Sequence, residues 1–515
     1  MAEGSTLRLA RRDGLGAAPG RAADWLASRP ALLRLPLVAA LGALAGLGQV
    51  PASWPWAMLL ALVAVMALFR RGAGLMEGWA FGLGHFGLTL RWFVEPFLVE
   101  PDVYGWMAPF ALLLAAGGFA LFWGAAFWGA QRWRLGLLGL VALWTGAEAL
   151  RSLVLTGFPW VLIGHAWIGT PLEQLAALGG AHGLTLLTLG LAATVVGLGP
   201  SPWLALPLGA VTLLWVTLDP GEAPPPNPGA PLIRIVQPNV PQAEKWDPAL
   251  MPGHFERLME LSGGDRRADL VVWPESALTE VLEPGGPTLR AARAATGGAP
   301  LAFGVVREEG GRYFNSLALM DDTGAVAAVY DKAHLVPFGE YVPWGDLLAR
   351  FGIRGLAQAE GEGFSPGPGG ALMELPGIGT ARPLICYESI FAEELPVAAA
   401  RPRLLLLVTN DAWFGLRAGP LQHFALGRLR AIEQGLPLVR SANTGVSAVI
   451  DGHGRVLAAL PLREAGAIEA RLPPALAPTP YSRTGDLPAF LLAAALGALA
   501  ISRRRHRLDP GGARP

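Results

Sequence analysis

Long runs of apolar residues constrain the fold of this chain more than any other feature. Residues 31–130 contain eight charged side chains, whereas residues 231–330 contain 22. A helix needs about 20 apolar residues to cross the hydrocarbon core of a bilayer. Eight runs approach that length: Leu35–Val50, Ala52–Phe69, Ala73–Leu90, Met107–Ala130, Leu135–Val154, Ala176–Leu198, Pro202–Leu218 and Leu487–Ile501. The pattern predicts a multi-span α-helical membrane domain and disfavours the buried helices of a soluble protein.

The arginines predict how these spans are oriented. They cluster before the first run, between the second and third, between the fourth and fifth, and after the last. With eight spans and a cytoplasmic N-terminus, every cluster falls on the cytoplasmic side, as the positive-inside rule requires. The long segment between spans seven and eight then lies outside the cytoplasm. The first 30 residues contain no apolar stretch before a cleavage site, which indicates a cytoplasmic arm and not a signal peptide.

Two Pro-rich connectors flank the long segment and divide the chain into domains. Between them, β-rich runs alternate with helical patterns, which indicates a layered α/β domain. The predicted organisation follows in chain order: a cytoplasmic arm (1–30), a membrane domain with seven transmembrane helices (31–218), a linker (219–231), an extracytoplasmic catalytic domain (232–471), a second linker (472–486), an eighth transmembrane helix (487–502) and a cytoplasmic tail (503–515).

Several classes of function are disfavoured by the composition. Lys plus Arg number 40 and Asp plus Glu number 40, so the chain lacks the basic excess of a nucleic-acid binder. Cys386 is the single cysteine, which excludes an intramolecular disulfide and a multi-cysteine metal site. His334 and His423 show no metal-ligand spacing and are interpreted as structural. No nucleotide-binding glycine motif is found. We therefore expect neither a metal nor a cofactor.

Three polar residues follow apolar runs that resemble strands. Glu275 follows Leu270–Pro274, Lys332 follows Ala325–Asp331, and Cys386 follows Leu384 and Ile385. Active residues of α/β domains cluster beyond strand ends, so these three are candidates for one site. A thiol needs a nearby base, and an ammonium can stabilise an oxyanion. Structural roles remain open for each: an inert buried thiol, a helix-start acid and a solvated lysine.

The scarcity of lysine adds weight to one of these candidates. The chain has two lysines, Lys245 and Lys332, against 38 arginines. An ammonium is a compact point charge, whereas a guanidinium is broad and planar. Under so strong a preference for arginine, a lysine that persists is a candidate for a task that arginine cannot perform.

Sequence motifs around the three candidates resemble a known superfamily. WPES contains Glu275, YDKAHLVPFGEYVP contains Lys332, and ICYES contains Cys386. These phrases, with TNDAWFG further along, resemble the Glu-Lys-Cys signature of the nitrilase superfamily. Within it, the apolar spans and the phrase QPNVPQAEKWDP are similar to the apolipoprotein N-acyltransferase family. The resemblance implies a nitrilase-like αββα sandwich joined to the membrane domain.

The resemblance also implies a ping-pong acyl transfer. An acyl chain would pass from a phospholipid to a thioester on Cys386, and then to the α-amino group of the N-terminal diacylglyceryl-cysteine of an apolipoprotein. Glu275 would act as the base, and Lys332 would stabilise the oxyanion. Further residues are implied around the site: Trp246, Glu340, Tyr387 and Glu388, with Trp413 and Phe414 as candidates for acyl-chain contact or for ordinary core packing. Glu340 or Glu388 would orient Lys332 or the acceptor amine, unless they form structural ion pairs.

The expected partners are the phospholipid donor, the diacylglyceryl-modified apolipoprotein and the bilayer, with no nucleic acid and no metal. The expected location is the bacterial inner membrane, with the catalytic domain on the periplasmic side and both termini in the cytoplasm. Segments 344–355 and 361–370 are candidates for loops that open to substrate. Two alternatives remain: a membrane-bound amidase that hydrolyses amides, and a transporter using His85, Arg91, Glu148 and Arg151.

Overall fold

A computed structural model describes residues 18–264, 267–341, 343, 363–395 and 401–508. Several predicted features lie outside the described residues. These are residues 1–17 of the cytoplasmic arm, the candidate loop 344–355, the first two residues of the candidate loop 361–370, and the tail beyond residue 508.

Helices dominate the first 220 residues. Each of the eight apolar runs overlaps one α-helix of the structure. Three helical stretches within the described part of the chain are long and apolar enough to cross a membrane, namely Pro101–Arg132, Pro171–Leu198 and Leu487–His506. The helices are α1 (Ala18–Ala27), α2 (Ala31–Gly46), α3 (Pro55–Phe69), α4 (Leu75–Thr89), α5 (Pro101–Tyr104), α6 (Ala108–Arg132), α7 (Gly136–Arg151), α8 (Ala176–Leu198), α9 (Ala205–Thr217), α10 (Met251–Ser262), α11 (Pro287–Ala295), α12 (Ala418–Gln434), α13 (Pro480–Thr484) and α14 (Leu487–Leu508).

The two ends of the helical bundle differ in what they contact. At one end, Arg71 pairs with Asp24 at 2.7 Å, and Arg70 donates to the carbonyl of Val196 near the end of α8 at 2.9 Å. At the opposite end, Gln422 of the C-terminal domain donates to the carbonyl of Thr89, where α4 ends. The arginine loop between α3 and α4 therefore lies on the side of the bundle away from the C-terminal domain.

The C-terminal domain contains two mixed β-sheets. One sheet has the strand order β13-β1-β2-β4-β5-β6, with β3 also paired to β4, and the other has the order β12-β11-β10-β9-β8-β7. The strands are β1 (Leu232–Gln237), β2 (Leu270–Val272), β3 (Leu278–Val281), β4 (Leu301–Glu309), β5 (Arg312–Met320), β6 (Val326–Asp331), β7 (Met373–Leu375), β8 (Gly379–Ile385), β9 (Leu404–Thr409), β10 (Leu438–Ala442), β11 (Ser447–Ile450), β12 (Val456–Leu460) and β13 (Gly466–Arg471).

Alternating side chains of the central strands build a four-layer αββα sandwich. Val272 of β2 and Leu406 of β9 belong to the core between the two sheets. Val271 of β2 belongs to a second core with residues of α10 and α11. Leu405 of β9 shares a third core with Ala431 of α12. Strands buried on both faces read as continuous apolar runs, which is why they were visible in the sequence. The predicted fold class is confirmed.

A buried ion pair lies at the end of α7. Glu148 and Arg151, three residues apart on α7, are almost fully buried, and their side chains lie 3.1 Å apart. Arg151 also donates to the carbonyls of Phe158 and Trp160, at 2.5 and 3.0 Å. Glu148 accepts a hydrogen bond from the indole of Trp123 at 2.5 Å. The segment after α7 folds back over the pair and buries it, with its carbonyls accepting from Arg151.

Candidate active site

The three candidate residues lie just beyond the ends of their strands. Glu275 follows β2 by three residues, Lys332 directly follows β6, and Cys386 directly follows β8. All three side chains are buried. The Nζ atom of Lys332 lies 3.5 Å from Oε1 of Glu275. The charges of Glu275 and Lys332 both act on the pKa of the Cys386 thiol. The structure thus brings the three predicted residues together.

Both carboxylate oxygens of Glu275 are held by donors from other elements. The side-chain amide of Asn315 on β5 donates to Oε1 at 2.8 Å. The main-chain N–H of Asn410, just after β9, donates to Oε2 at 2.7 Å. These bonds fix the direction in which the carboxylate points.

A glycine allows the Glu275 turn to approach the sheet closely. The N–H of Gly304 on β4 donates to the carbonyl of Pro274 at 3.1 Å. A Cβ atom at Gly304 would lie 2.4 Å from the nitrogen of Ser276 and 2.6 Å from the Cα of Glu275. Ser276 itself has a φ of 47°, a left-handed conformation that L-residues seldom adopt. Any side chain at position 304 would therefore displace the turn that carries Glu275.

Lys332 is paired mainly with Glu340. Its Nζ atom lies 2.8 Å from Oε2 of Glu340, a closer contact than the one with Glu275. Burial alone would lower the pKa of the Lys332 ammonium, but the carboxylates of Glu340 and Glu275 raise it overall. Asn315 donates to Glu340 as well as to Glu275, at 2.8 Å in each case. Glu340 is therefore the acid that orients Lys332.

Glu388 has a different role from Glu340. Its Oε1 atom accepts hydrogen bonds from the hydroxyl of Tyr330 and the N–H of Ala333, at 2.8 and 2.7 Å. Its Oε2 atom accepts from the N–H of Ile385 at 2.7 Å. Burial raises the pKa of Glu388, and these hydrogen bonds oppose the rise. Glu388 thereby joins the chain beside Lys332 to the chain beside Cys386, and has no hydrogen bond to Lys332 among the described residues.

The cysteine occupies a sharp turn from a strand into a 3-10 helix. Cys386 has a φ of 51° and begins the turn Cys386–Ile390. Burial raises the pKa of its thiol, the charge of Glu275 raises it further, and Lys332 acts in the opposite direction. Cys386 is therefore a neutral thiol at rest, and its proton must leave as the sulfur attacks.

A buried network holds the carbonyl of this turn. The Nε2 atom of His423 lies 3.1 Å from the carbonyl oxygen of Cys386 and 2.8 Å from the hydroxyl of Ser389. The Nδ1 atom of His423 lies 2.8 Å from Asp411, which also accepts from Arg440 at 2.8 Å. Burial would raise the pKa of Asp411, but Arg440 and His423 lower it well below its usual range. His423 is thus placed in a structural network, as the sequence suggested.

Side chains of the membrane domain contact the same region. The hydroxyl of Tyr387 donates to the carbonyl of Gly157, in the segment after α7, at 3.3 Å. Phe414 packs against Trp92 and Trp160, with ring centroids 5.0 and 5.7 Å apart. Of the other predicted aromatic residues, Trp413 is half-buried and packs against the main core.

Trp246 is the most exposed of the predicted site residues, with 47% of its surface accessible. It follows Lys245, which is buried and whose ammonium donates to the carbonyl of Glu275 at 3.1 Å. Sequence reasoning noted Lys245 without assigning it a contact, and it missed Asn315 and Asn410 altogether. Asn410 lies within the quoted TNDAWFG motif, directly after a strand, and that position was a signal that it reaches the site.

Comparisons with known proteins were consistent with these observations. Residues 41–194 match the apolipoprotein N-acyltransferase N-terminal domain, and residues 232–481 match the carbon-nitrogen hydrolase family. An apolipoprotein N-acyltransferase from Rhodopseudomonas palustris is 36% identical, over 90% of this chain and 94% of its own length. The chain belongs to the apolipoprotein N-acyltransferase family. The family resemblance and the acyltransferase class predicted from the motifs are confirmed.

Two further similarities were found. The apolipoprotein N-acyltransferase of Allorhizobium ampelinum is 39% identical, over 78% of this chain and 80% of its own length. A solved structure of a CN-hydrolase superfamily protein from Xanthomonas campestris is 23% identical, with a TM-score of 0.36, over 56% of this chain and 98% of that one.

Proposed function

We propose that this protein moves an acyl chain from a phospholipid to the α-amino group of an N-terminal diacylglyceryl-cysteine of an apolipoprotein, through a thioester on Cys386. Membership in the apolipoprotein N-acyltransferase family supports the reaction class. The observation that carries the mechanism is the buried thiol placed under the influence of the Glu275 carboxylate and the Lys332 ammonium.

In the first half-reaction, the sulfur of Cys386 attacks the carbonyl carbon of the phospholipid ester. The thiol proton passes to Glu275, because the pKa of the thiol is raised and the proton needs an acceptor at the moment of attack. The carbon–oxygen ester bond then breaks, and Glu275 returns the proton to the departing oxygen. The products are a lysophospholipid and an acyl thioester on Cys386.

The tetrahedral intermediate carries a negative oxygen that needs donors. Lys332 supplies a full positive charge, since Glu340 and Glu275 keep its pKa raised. The N–H of Tyr387 lies at the start of the turn Cys386–Ile390, where a helix leaves its first N–H groups without intrahelical acceptors. Fixed donors of this kind stabilise the developing charge without reorganising.

In the second half-reaction, the neutral α-amine of the acceptor attacks the thioester carbon. Glu275 takes a proton from the amine as the carbon–nitrogen bond forms, and the carbon–sulfur bond breaks. The proton then returns to the Cys386 thiolate, which restores the resting enzyme. An amide is more stable than a thioester, so the transfer runs forward.

The helical bundle supports a location in the bacterial inner membrane. We place the arginine loop between α3 and α4 in the cytoplasm and the catalytic domain on the periplasmic side, following the positive-inside rule. The eight spans, and the domain boundaries given above, are part of this proposal. Both substrates are anchored in lipid, so a site next to the bundle receives each of them without extracting it fully from the bilayer.

The test uses a phospholipid with a labelled acyl chain and a diacylated lipopeptide acceptor. The wild-type protein should yield labelled protein with a thioester located on Cys386 by mass spectrometry, and then triacylated peptide. Cys386→Ala should abolish both products. A matched control restores a thiol elsewhere by combining Cys386→Ala with Thr323→Cys on an exposed turn, and it should stay inactive.

Four outcomes would contradict the proposal. Release of free fatty acid with no triacylated peptide would favour the amidase alternative. Labelled protein in the thiol-restored control would show that acylation is not specific to Cys386. Retention of triacylated product in Cys386→Ala would remove the cysteine from the mechanism, and a transport activity that survived this substitution would favour the transporter alternative.

A further inference from the structure

The two lysines of the chain converge on one residue. Lys332 approaches the carboxylate of Glu275, with Nζ 3.5 Å from Oε1. Lys245 approaches the same residue from its main-chain side, where Nζ donates to the carbonyl oxygen at 3.1 Å. Both side chains are buried. In a chain with 38 arginines, the only two lysines thus flank the proposed base.

Hydrogen bonds hold the segment that carries Lys245 against the site. The side chain of Asn443 accepts from the N–H of Val240 at 2.9 Å and donates to the carbonyl of the same residue at 2.8 Å. The side chain of Asn410 donates to Gln242 at 2.7 Å. The main-chain N–H of Asn410 is also a donor to the Glu275 carboxylate. The position of Lys245 is therefore fixed relative to that carboxylate.

Lysine suits this position better than arginine. An ammonium is compact and reaches a single carbonyl, whereas a guanidinium needs a broad planar space. Burial lowers the pKa of Lys245 to about 8, although Glu275 and Cys386 act to raise it. The charge of Lys245 therefore depends on pH within the range where enzymes work.

Charged and titratable groups face this region from two sides. The site contributes Glu275, Lys332, Glu340, Cys386 and Asp411. The chain from the turn before Lys245 to α10 contributes Glu244, Asp247, His254 and Arg257. Arg257 is exposed and donates to the carbonyl of Pro238 at 3.2 Å. It is a second cation bound to a main-chain carbonyl nearby, but it has no hydrogen bond to Glu275 among the described residues.

We propose that Lys245 is a positioning residue that holds the Glu275 turn and supplies a positive charge favouring departure of the Cys386 proton. The role rests on the proposed function, because it serves the transfer of that proton to Glu275. A cation near a thiol stabilises the thiolate. Lys245 carries that charge at pH values below about 8 and loses it above.

The single cysteine makes the test specific, because alkylation by iodoacetamide reports on Cys386 alone. The alkylation rate of the full-length protein in detergent is measured from about pH 6 to about pH 10, because the reactive thiolate fraction rises with pH across this range. Lys245→Met should react about tenfold more slowly at neutral pH, which corresponds to about one unit of thiol pKa. The difference from the wild type should shrink above about pH 8, where Lys245 itself becomes neutral.

Two control variants separate charge from shape. Lys245→Arg keeps a positive charge. The ratio of its alkylation rate to that of the wild type should therefore stay constant with pH below about 8, even if the larger side chain slows the reaction. Arg257→Met removes a nearby exposed cation and should leave the profile unchanged. The melting temperature of each variant is measured alongside, because a purely structural defect lowers it without altering the pH dependence.

The proposal is overturned if Lys245→Met is slower by the same factor at every pH, or if its profile coincides with that of the wild type. If Lys245→Met fails to fold, the wild-type profile decides: an inflection near pH 8 supports the role, and a single ionisation contradicts it. Alkylation requires no turnover. A wild-type protein that forms no thioester therefore contradicts the proposed function, whereas coincident alkylation profiles contradict only the role of Lys245.

Discussion

Two of the buried acid–base groups in the described part of the molecule are built differently. In the membrane domain, Glu148 pairs with Arg151, and both are almost fully buried. In the catalytic domain, Lys332 contacts two carboxylates, those of Glu340 and Glu275. The first group consists of one acid and one guanidinium, whereas the second has an ammonium between two acids with a thiol nearby.

The difference shows how a structural ion pair is distinguished from a reactive one. The terminal nitrogens of Arg151 bind Glu148 and the fixed carbonyls of Phe158 and Trp160, and Glu148 is further held by Trp123. Such a group fixes one backbone arrangement. Around Lys332, by contrast, two carboxylates share one ammonium, and the proposed function assigns to one of them, Glu275, the transfer of the Cys386 proton.

The largest effect is expected for the membrane pair. Arg151→Met removes the buried cation that pairs with Glu148, which should lower the free energy of unfolding by about 3–5 kcal/mol. Thermal unfolding in nanodiscs measures this loss. Arg151→Lys keeps the charge but cannot reach both carbonyls, so it should be less destabilising. An unchanged melting temperature in Arg151→Met would show that the pair does not hold the fold.

The reverse exchange, of a lysine for an arginine, tests the buried group around Lys332. Lys332→Arg keeps a positive charge between the two acids but places a broad guanidinium where the oxyanion donor should lie. The rate of thioester formation should fall by about 10²–10³-fold, as for loss of an oxyanion donor. Arg151→Lys is the matched control. It should lower the stability of the protein but change the rate of thioester formation by the folded fraction much less. Equal rates in Lys332→Arg and wild type would contradict the assigned role.

The smallest effect is expected where the two domains meet. The carbonyl oxygen of the Gln422 side chain accepts from the indoles of Trp92 and Trp160, and its amide donates to the carbonyls of Val50 and Thr89. Gln422→Leu leaves these buried groups unsatisfied, which should lower the free energy of unfolding by about 1–3 kcal/mol.

Tryptophan fluorescence during thermal unfolding measures this change. Gln174→Leu provides the comparison, because Gln174 makes one bond across the same interface, to the carbonyl of His453 at 2.9 Å. It should be the milder of the two substitutions. If both variants melt as the wild type does, the polar contacts do not couple the domains.

Much of the fold was predictable from local patterns. Central strands such as β2 and β9 are buried on both faces, so they appear as apolar runs. Among the strands that the sequence did not reveal, β7 has three residues, and β13 is half-exposed along its length. β13 is recruited to the sheet by pairing with β1, more than 200 residues earlier, and no local pattern encodes such a pairing.

The site was predictable in part for the same reason. Glu275 and Lys332 follow strands of one sheet, and Cys386 follows a strand of the other, so the site forms where the ends of these strands meet between the two sheets. The different roles of Glu340 and Glu388 were not predictable, since each is an acid that follows a candidate residue within a few positions of the sequence. It depends on whether each carboxylate meets the ammonium of Lys332 or main-chain N–H groups. The contact of Lys245 with the carbonyl oxygen of Glu275 also leaves no recognisable signal in the sequence.

The four hydrogen bonds of Gln422 have a consequence for how the protein would respond to its bilayer. They join α12 to the chain at or just after the ends of α2 and α4 and to Trp160 in the segment after α7, so the height of the cysteine above the bundle is set by the protein alone. In a thicker or thinner bilayer, the helices would tilt or deform the lipid around them. The lipid ester groups would then move relative to a sulfur atom that stays in place. Bilayer thickness would thereby determine which lipid esters can reach the sulfur atom of Cys386.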